Sequence, residues 1–176
     1  MLDRDGTIIP DHPYVNDPAN VSLLPGAAGA IRALAMAGYP SIVVTNQSGI
    51  ARQLVSITQY HAVRQRLDEL LAADGAVLAD TFACPHHPDF IGTCACRKPA
   101  TALYERAAAV HDLDLSQCLF IGDKARDVTP GARFGAKAAL VRSSNTNDDD
   151  VAAARELGIP VTASLQEAVA LLLGAA

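Results

Sequence analysis

An α/β fold, with a parallel sheet and helices packed on both of its faces, is predicted by three features of this 176-residue chain. Short apolar runs rich in Val, Ile and Leu alternate with stretches of helical period along its length, the pattern of buried strands joined by crossover helices. Half of the residues are hydrophobic, enough for one full core at this length. Clusters able to do chemistry follow the apolar runs at Asp3, Thr45 and Asp123, at the carboxyl ends of strands where open α/β sheets bind ligands. The expected architecture is a doubly wound, Rossmann-like sheet in a single domain spanning 1–176.

The elements follow in order. Met1-Leu2-Asp3 reads as the end of a strand. A helix at about 27–37 begins after Pro25-Gly26 and stops at Gly38. Ser41 to Thr45 is a buried strand, and a helix over about 57–73 carries Ile57, Tyr60, Leu67, Leu70 and Leu71 on one face. A strand near 78–83 leads into a Cys/His loop, followed by a helix from about 100 to 111. Cys118 to Ile121 is the next strand, ending at Gly122-Asp123. A short helix near 128–134, the strand Ala138 to Val141, a helix near 148–157, a short strand around Val161 and a helix near 165–173 complete the chain. Neither an internal repeat nor a low-complexity segment interrupts this order, and Asn145 to Asp150 reads as a polar surface loop with a helix start.

Composition narrows the function. Aromatic residues are 5% and Trp is absent, so the core must be built from Ala, Leu, Val and Ile. A net charge of -5 with no long basic run argues against nucleic acid as a partner. A small anionic substrate is compatible, because local cations decide that. No apolar window reaches the length of a membrane span and no signal peptide opens the sequence, so a soluble cytoplasmic protein is expected. Cys84, Cys94 and Cys96 sit in one loop, in a cytosolic chain more the mark of a metal site than of disulfides, and Cys118 is expected to be a buried, inert thiol.

Four short motifs carry the chemistry. In Asp3-Arg4-Asp5-Gly6-Thr7, strand alternation puts Asp3 and Asp5 on the same side of the chain. One can then attack phosphorus while the other moves a proton. In Thr45-Asn46-Gln47-Ser48-Gly49, a hydroxyl and successive backbone amides can donate to phosphate oxygens, although an ordinary hydrogen-bonded turn would look the same. Arg97-Lys98-Pro99 places cations before a helix start, which suits an anion as well as it suits solvent. Lys98 would neutralise the phosphoryl group, and the planar fork of Arg97 could grip a second anionic group. Gly122-Asp123-Lys124 with Asp127 puts a carboxylate at the end of a buried strand, where it needs a partner. Mg²⁺ would serve, held by Asp3, Asp123 and a backbone carbonyl. Asp127, one helical turn on, could orient Lys98 or simply stabilise the helix dipole. Cys84, His86, Cys94 and Cys96 form a Cys₃His set that suits a closed, structural Zn²⁺ site. Such a site would tie metal binding to the folding of the loop that presents Arg97 and Lys98.

DRDGT, TNQSG, RKP and GDKxxD, in this order, resemble the four signature motifs of the haloacid dehalogenase superfamily of phosphatases. Cys84-Pro85-His86-His87-Pro88 and Cys94-Ala95-Cys96-Arg97-Lys98-Pro99 narrow the resemblance to the D-glycero-D-manno-heptose 1,7-bisphosphate phosphatase and histidinol-phosphatase family. Thr45 to Arg52, Gly122-Asp123-Lys124 and Tyr14-Val15 look more like the heptose side. The resemblance implies a minimal cap and a short zinc-loop insertion at 84–96. It makes Asp3 the nucleophile and Asp5 the general acid and base, with Thr45 and Lys98 holding the phosphoryl group. Asp3, Asp5 (by its carbonyl) and Asp123 would bind Mg²⁺, and Cys84, His86, Cys94 and Cys96 would bind Zn²⁺. Asp11, His12, Pro13, Tyr14, Thr45, Asn46, Gln47, Ser48, Arg97, Lys98 and Lys124 would contact a small phosphorylated sugar, with Asp127 in support. A capless monomer is expected. Histidinol phosphate remains the alternative substrate, and a catalytically weak, zinc-stapled binding module the alternative role.

The chain departs from the family pattern in places. Only Met1 and Leu2 precede the first motif, so the strand holding Asp3 is expected either to start further upstream or to be weakly held. Ala100-Thr101 replaces a usual Pro-Gly pair after Pro99, and Gln53 stands where a glycine is usual. The zinc loop is nearer in length to that of the histidinol relatives.

Overall fold

The computed structural model describes residues 1–174. Five parallel strands run β1 (Ile42–Asn46), β2 (Asp80–Cys84), β3 (Leu119–Gly122), β4 (Lys137–Val141) and β5 (Val161–Thr162). Seven helices accompany them: α1 (Ala27–Met36), α2 (Ile57–Ala73), α3 (Pro88–Ile91), α4 (Ala102–His111), α5 (Ala125–Arg133), α6 (Asp148–Glu156) and α7 (Leu165–Leu173). The main elements fall where the periodicity predicts them, with shifted ends. The expected helix near 128–134 starts three residues earlier, because Asp127 accepts the Lys124 backbone N–H at 2.9 Å and caps its first turn.

Strand pairing leaves two half-sheets, β2–β1 and β3–β4–β5, and the N-terminal segment joins them. Leu2 donates to the Ile42 carbonyl (2.9 Å) and accepts from Val44 (2.8 Å) on one side. On the other side Asp3 donates to the Ile121 carbonyl, and Ile121 donates to the Met1 carbonyl, both at 2.9 Å. Met1 and Leu2 are buried, so the expectation of a weakly held segment is corrected: two residues suffice to bond both neighbours. From this central position the chain winds first through β1 and β2, then crosses to β3, β4 and β5. That reversal is the topological switch point, and Asp3 stands at its carboxyl end.

Side-chain alternation divides the core into two layers. Leu2, Val43, Ile121, Ala139 and Val141 face α1, α2 and α7. Met1, Ile42, Val44, Phe120 and Leu140 face α4, α5 and α6. The aromatic part of the second layer is Tyr104, Phe120 and Phe134, with the Phe120 ring tilted against Tyr104 and stacked on Phe134. Cys118 is only half-buried, and its thiol donates to the Asp114 carbonyl, so the expectation of a fully buried thiol does not hold. Gln53 has φ +58°, the left-handed region that glycine occupies at no steric cost.

Candidate active site

After Asp3 the chain turns back sharply: the Arg4 carbonyl accepts from Ile8 (2.9 Å) and Ile9 (3.1 Å). Gly6 makes the turn possible, with φ +77°. A Cβ there would lie 2.4 Å from the Asp123 carboxylate, so only glycine lets the first and fourth motifs approach so closely. The turn sends Asp3 and Asp5 into different surroundings.

Asp3 faces Lys98, whose Nζ lies 2.7 Å from its Oδ1. The same ammonium donates to the Val44 carbonyl at 2.7 Å and sits 2.7 Å from Asp127 Oδ1, an ion pair whose angle falls short of a hydrogen bond. Burial acts to lower the Lys98 pKa, but Asp127 and then Asp3 outweigh it and hold it above the ordinary lysine range. Asn46 grips the Lys98 backbone from both sides, accepting from its N–H (3.0 Å) and donating to its carbonyl (3.3 Å). Asp127 lies where it could orient Lys98, and the Asn46 amide is spent on the Lys98 backbone.

Asp5 accepts from Arg4, through Nε at 3.1 Å and Nη2 at 2.9 and 3.0 Å, and from Gln47 Nε2 at 2.8 Å. Gln47 also donates to Thr45 Oγ1 (3.0 Å), linking the expected proton-transfer residue to the expected phosphate-holding one. Burial raises the Asp5 pKa, against the pull of Arg4. A carboxyl raised in this way is biased toward the protonated form that a general acid needs.

Carboxylate oxygens of Asp3, Asp123 and Asp127 lie within 4.8 Å of one another. Burial pushes Asp123 up to about 7, with Asp3 and Asp127 adding to the effect. Ser143 donates its hydroxyl to Asp123 Oδ2 (2.7 Å), and Thr146 donates to the Asp123 carbonyl (2.8 Å). Lys98 serves Asp3 and Asp127 but not Asp123. This all-oxygen donor set, short of positive charge at Asp123, fits a hard divalent cation such as Mg²⁺.

The second cluster is soft. Cys96 Sγ lies 3.1 Å from both Cys84 Sγ and His86 Nδ1 and 3.5 Å from Cys94 Sγ, and Cys84 lies 3.7 Å from Cys94. Burial pushes the Cys84 thiol up to about 12. Burial acts the same way on Cys94, but Cys96 and His86 overcome it and draw that thiol down to about 6. Four converging donors of this kind fit a closed zinc site. Arg97 leaves the loop with Nη1 donating to the His86 carbonyl at 3.1 Å.

A cleft of about 320 Å³ opens beside Asp5, lined by Arg4, Asp11, His12, Pro13, Tyr14, Asn46, Gln47, Ser48 and Asn145 among others. The expected substrate segments at 11–14 and 46–48 therefore meet at one mouth. Arg97 and Lys124 are not among its lining side chains. Lys124 is no spare cation: its ammonium donates to the Asn145 carbonyl and lies 3.6 Å from Asp150. A second hollow of about 220 Å³, walled by Leu34, Tyr39 and Leu119, lies at the opposite end of the strands, away from the carboxylates. Sequence reasoning missed Arg4, Ser143, Thr146 and Asn145. Only Arg4 left a signal, as a cation between two acids.

The HAD-hydrolase-like family model matches residues 95–168. A D-glycero-D-manno-heptose-1,7-bisphosphate 7-phosphatase of Thermosynechococcus vestitus is 40% identical over 152 residues, 81% of this chain and 78% of that protein. The D-glycero-beta-D-manno-heptose-1,7-bisphosphate 7-phosphatase of Yersinia pestis is 35% identical, over 96% of this chain and 93% of its own length. The crystal structure of D,D-heptose 1,7-bisphosphate phosphatase from B. bronchiseptica, complexed with magnesium and phosphate, superposes with a TM-score of 0.86 at 34% identity. It covers 99% of this chain and 97% of that one.

Proposed function

The chain belongs to the heptose-bisphosphate phosphatase family of HAD-like hydrolases, and on that premise we propose that it removes the C7 phosphate of D-glycero-D-manno-heptose 1,7-bisphosphate. It is a phosphoric monoester hydrolase. The observation that carries the mechanism is the contrast between the two acids of the first motif. Asp3 faces the Lys98 ammonium at 2.7 Å within the carboxylate cluster, whereas Asp5 turns to Arg4 (2.9 Å) and Gln47 (2.8 Å), with burial raising its pKa against the pull of Arg4.

An Asp3 carboxylate oxygen attacks phosphorus, and the bond from phosphorus to the sugar oxygen breaks. Asp5, protonated, gives its proton to that oxygen and the sugar alcohol leaves. The resulting Asp5 carboxylate then takes a proton from water, whose oxygen attacks the aspartyl-phosphate and frees phosphate and Asp3. Lys98 and Thr45 hold the phosphoryl group in place, and Gln47 keeps Asp5 turned toward Thr45. A Mg²⁺ ion at Asp3, Asp123 and the Asp5 carbonyl would neutralise charge on the transferring group. Zinc at Cys84, His86, Cys94 and Cys96 would brace the loop that leads to Arg97 and Lys98.

We read the chain as one domain with a minimal cap, working as a monomer. Among the described residues no helix is long and apolar enough to cross a membrane. Four free cysteines agree with a cytoplasmic setting. The test is phosphate release with Mg²⁺ from heptose 1,7-bisphosphate and from histidinol phosphate, with Asp3→Asn as control. Release dependent on Asp3 and favouring the bisphosphate is expected. Equal or better release from histidinol phosphate, or near-normal activity of Asp3→Asn, would overturn the proposal.

A further inference from the structure

Arg52 has no acidic partner among the described residues, yet its guanidinium is held on three sides. It lies 6.0 Å from the ring centre of Tyr14 and 5.6 Å from that of Phe90. Its Nη2 is 2.7 Å from His87 Nε2. The Nε is buried and without a hydrogen-bond partner among the described residues. A guanidinium in these surroundings is placed by ring faces and an imidazole, not by a counter-charge.

These contacts join separate parts of the chain. Phe90 and His87 belong to the metal loop, and Tyr14 lines the cleft. Tyr14 has φ +52°, a conformation that a non-glycine residue keeps only when its surroundings impose it. Its ring lies against the backbone of Gly49, where an added Cβ would come within 2.7 Å of Tyr14 Cδ1. The ring thus meets both Gly49 and Arg52, two residues of the same loop. The loop bearing Arg52 is itself seated on the metal loop, with Gln47 donating to the Cys84 carbonyl (2.7 Å) and Ala51 to the Pro85 carbonyl (3.1 Å).

We propose that Arg52 is a positioning residue: it fixes Tyr14 at the mouth of the cleft and so sets affinity for the sugar portion of the substrate. The inference rests on the phosphosugar reading of that cleft. The Arg52 side chain meets Tyr14, Phe90 and His87 and none of the Asp3, Asp123 and Asp127 carboxylates, so its effect falls on binding and leaves the phosphoryl chemistry to Asp3 and Asp5.

Two measurements test this. With the bisphosphate, Arg52→Ala should raise KM about tenfold, equivalent to ~1.4 kcal/mol, with kcat changed less than about twofold. Arg52→Lys should recover little of this, because a single ammonium keeps the charge but cannot reach Tyr14, Phe90 and His87 at once as the broad guanidinium does. Full rescue by lysine would overturn the proposal, by showing that charge acting on the substrate is what matters. The chain has no Trp, so Tyr14→Trp supplies a single fluorescent reporter on the lip. Its anisotropy should fall when Arg52→Ala is added, and an unchanged anisotropy would overturn the proposal. Should the wild-type protein not hydrolyse the bisphosphate, the proposed function fails, and the anisotropy pair still decides the role of Arg52.

Discussion

Replacing Asp123 with asparagine should stabilise the magnesium-free protein at neutral pH while removing its response to Mg²⁺. Asp123 is buried, and burial pushes its carboxyl from the ordinary carboxylate range up to about 7, with Asp3 and Asp127 adding to the effect. Between about pH 4 and pH 7 the folded protein therefore keeps a proton that the unfolded chain has released. The native state binds more protons in that window, so stability falls as pH rises through it. At roughly 1.36 kcal/mol per pH unit, a window about three pH units wide amounts to an upper bound of ~4 kcal/mol lost by about pH 8. The amide introduced by Asp123→Asn is uncharged and still offers an oxygen to the Ser143 hydroxyl, so the variant escapes this loss. The assay is urea unfolding in magnesium-free buffer at about pH 4.5 and pH 8, repeated with Mg²⁺. Near pH 4.5 the two proteins should be close in stability. Near pH 8 the variant should be more stable by a few kcal/mol, and Mg²⁺ should restore only the wild type. Parallel pH profiles for the two proteins without Mg²⁺ would refute the reasoning.

Other perturbations separate the remaining parts of the site. Lys98→Met removes the cation that Asp3 and Asp127 share and leaves buried carboxylates uncompensated. It should cost about 3–5 kcal/mol in chemical denaturation and abolish phosphate release, whereas unchanged stability would mean the carboxylates relax without the cation. Cys94→Ser should lower the zinc content measured by mass spectrometry and raise KM by loosening the loop before Arg97. Full zinc retention would refute the four-residue ligand set.

Much of the fold was legible because its signals are local. Val43-Val44 and Phe120-Ile121 are too uniformly apolar for surface segments, and helix stops such as Gly38 lie on the chain itself. The candidate site was legible for a related reason. Asp3 with Asp5, and Cys94 with Cys96, do their chemistry as close neighbours, so their spacing already constrains their geometry. Arg4 illustrates the limit: adjacency shows a cation between two acids, but not that its fork closes on Asp5 and leaves Asp3 to Lys98. Ser143 and Thr146 are ordinary hydroxyls in a polar loop until β4 carries them to Asp123. The pairing of Lys124 with Asp150 left no local signal, because a helix and a strand separate the two residues along the chain.

The amino-acid sequence by itself determined the class of fold and the order of its elements, and it singled out the two acids of the first motif and the Cys/His cluster as candidates, since each depends on periodicity or short spacing. Only the tertiary structure decided that two residues, Met1 and Leu2, complete the centre of the sheet. It alone also assigned Asn46 to the Lys98 backbone and seated Arg52 between Tyr14 and Phe90. The physical reason is common to all three. Each depends on which distant backbone or ring face occupies the space beside a side chain, and that follows from packing the two helical layers on the sheet, not from any local pattern.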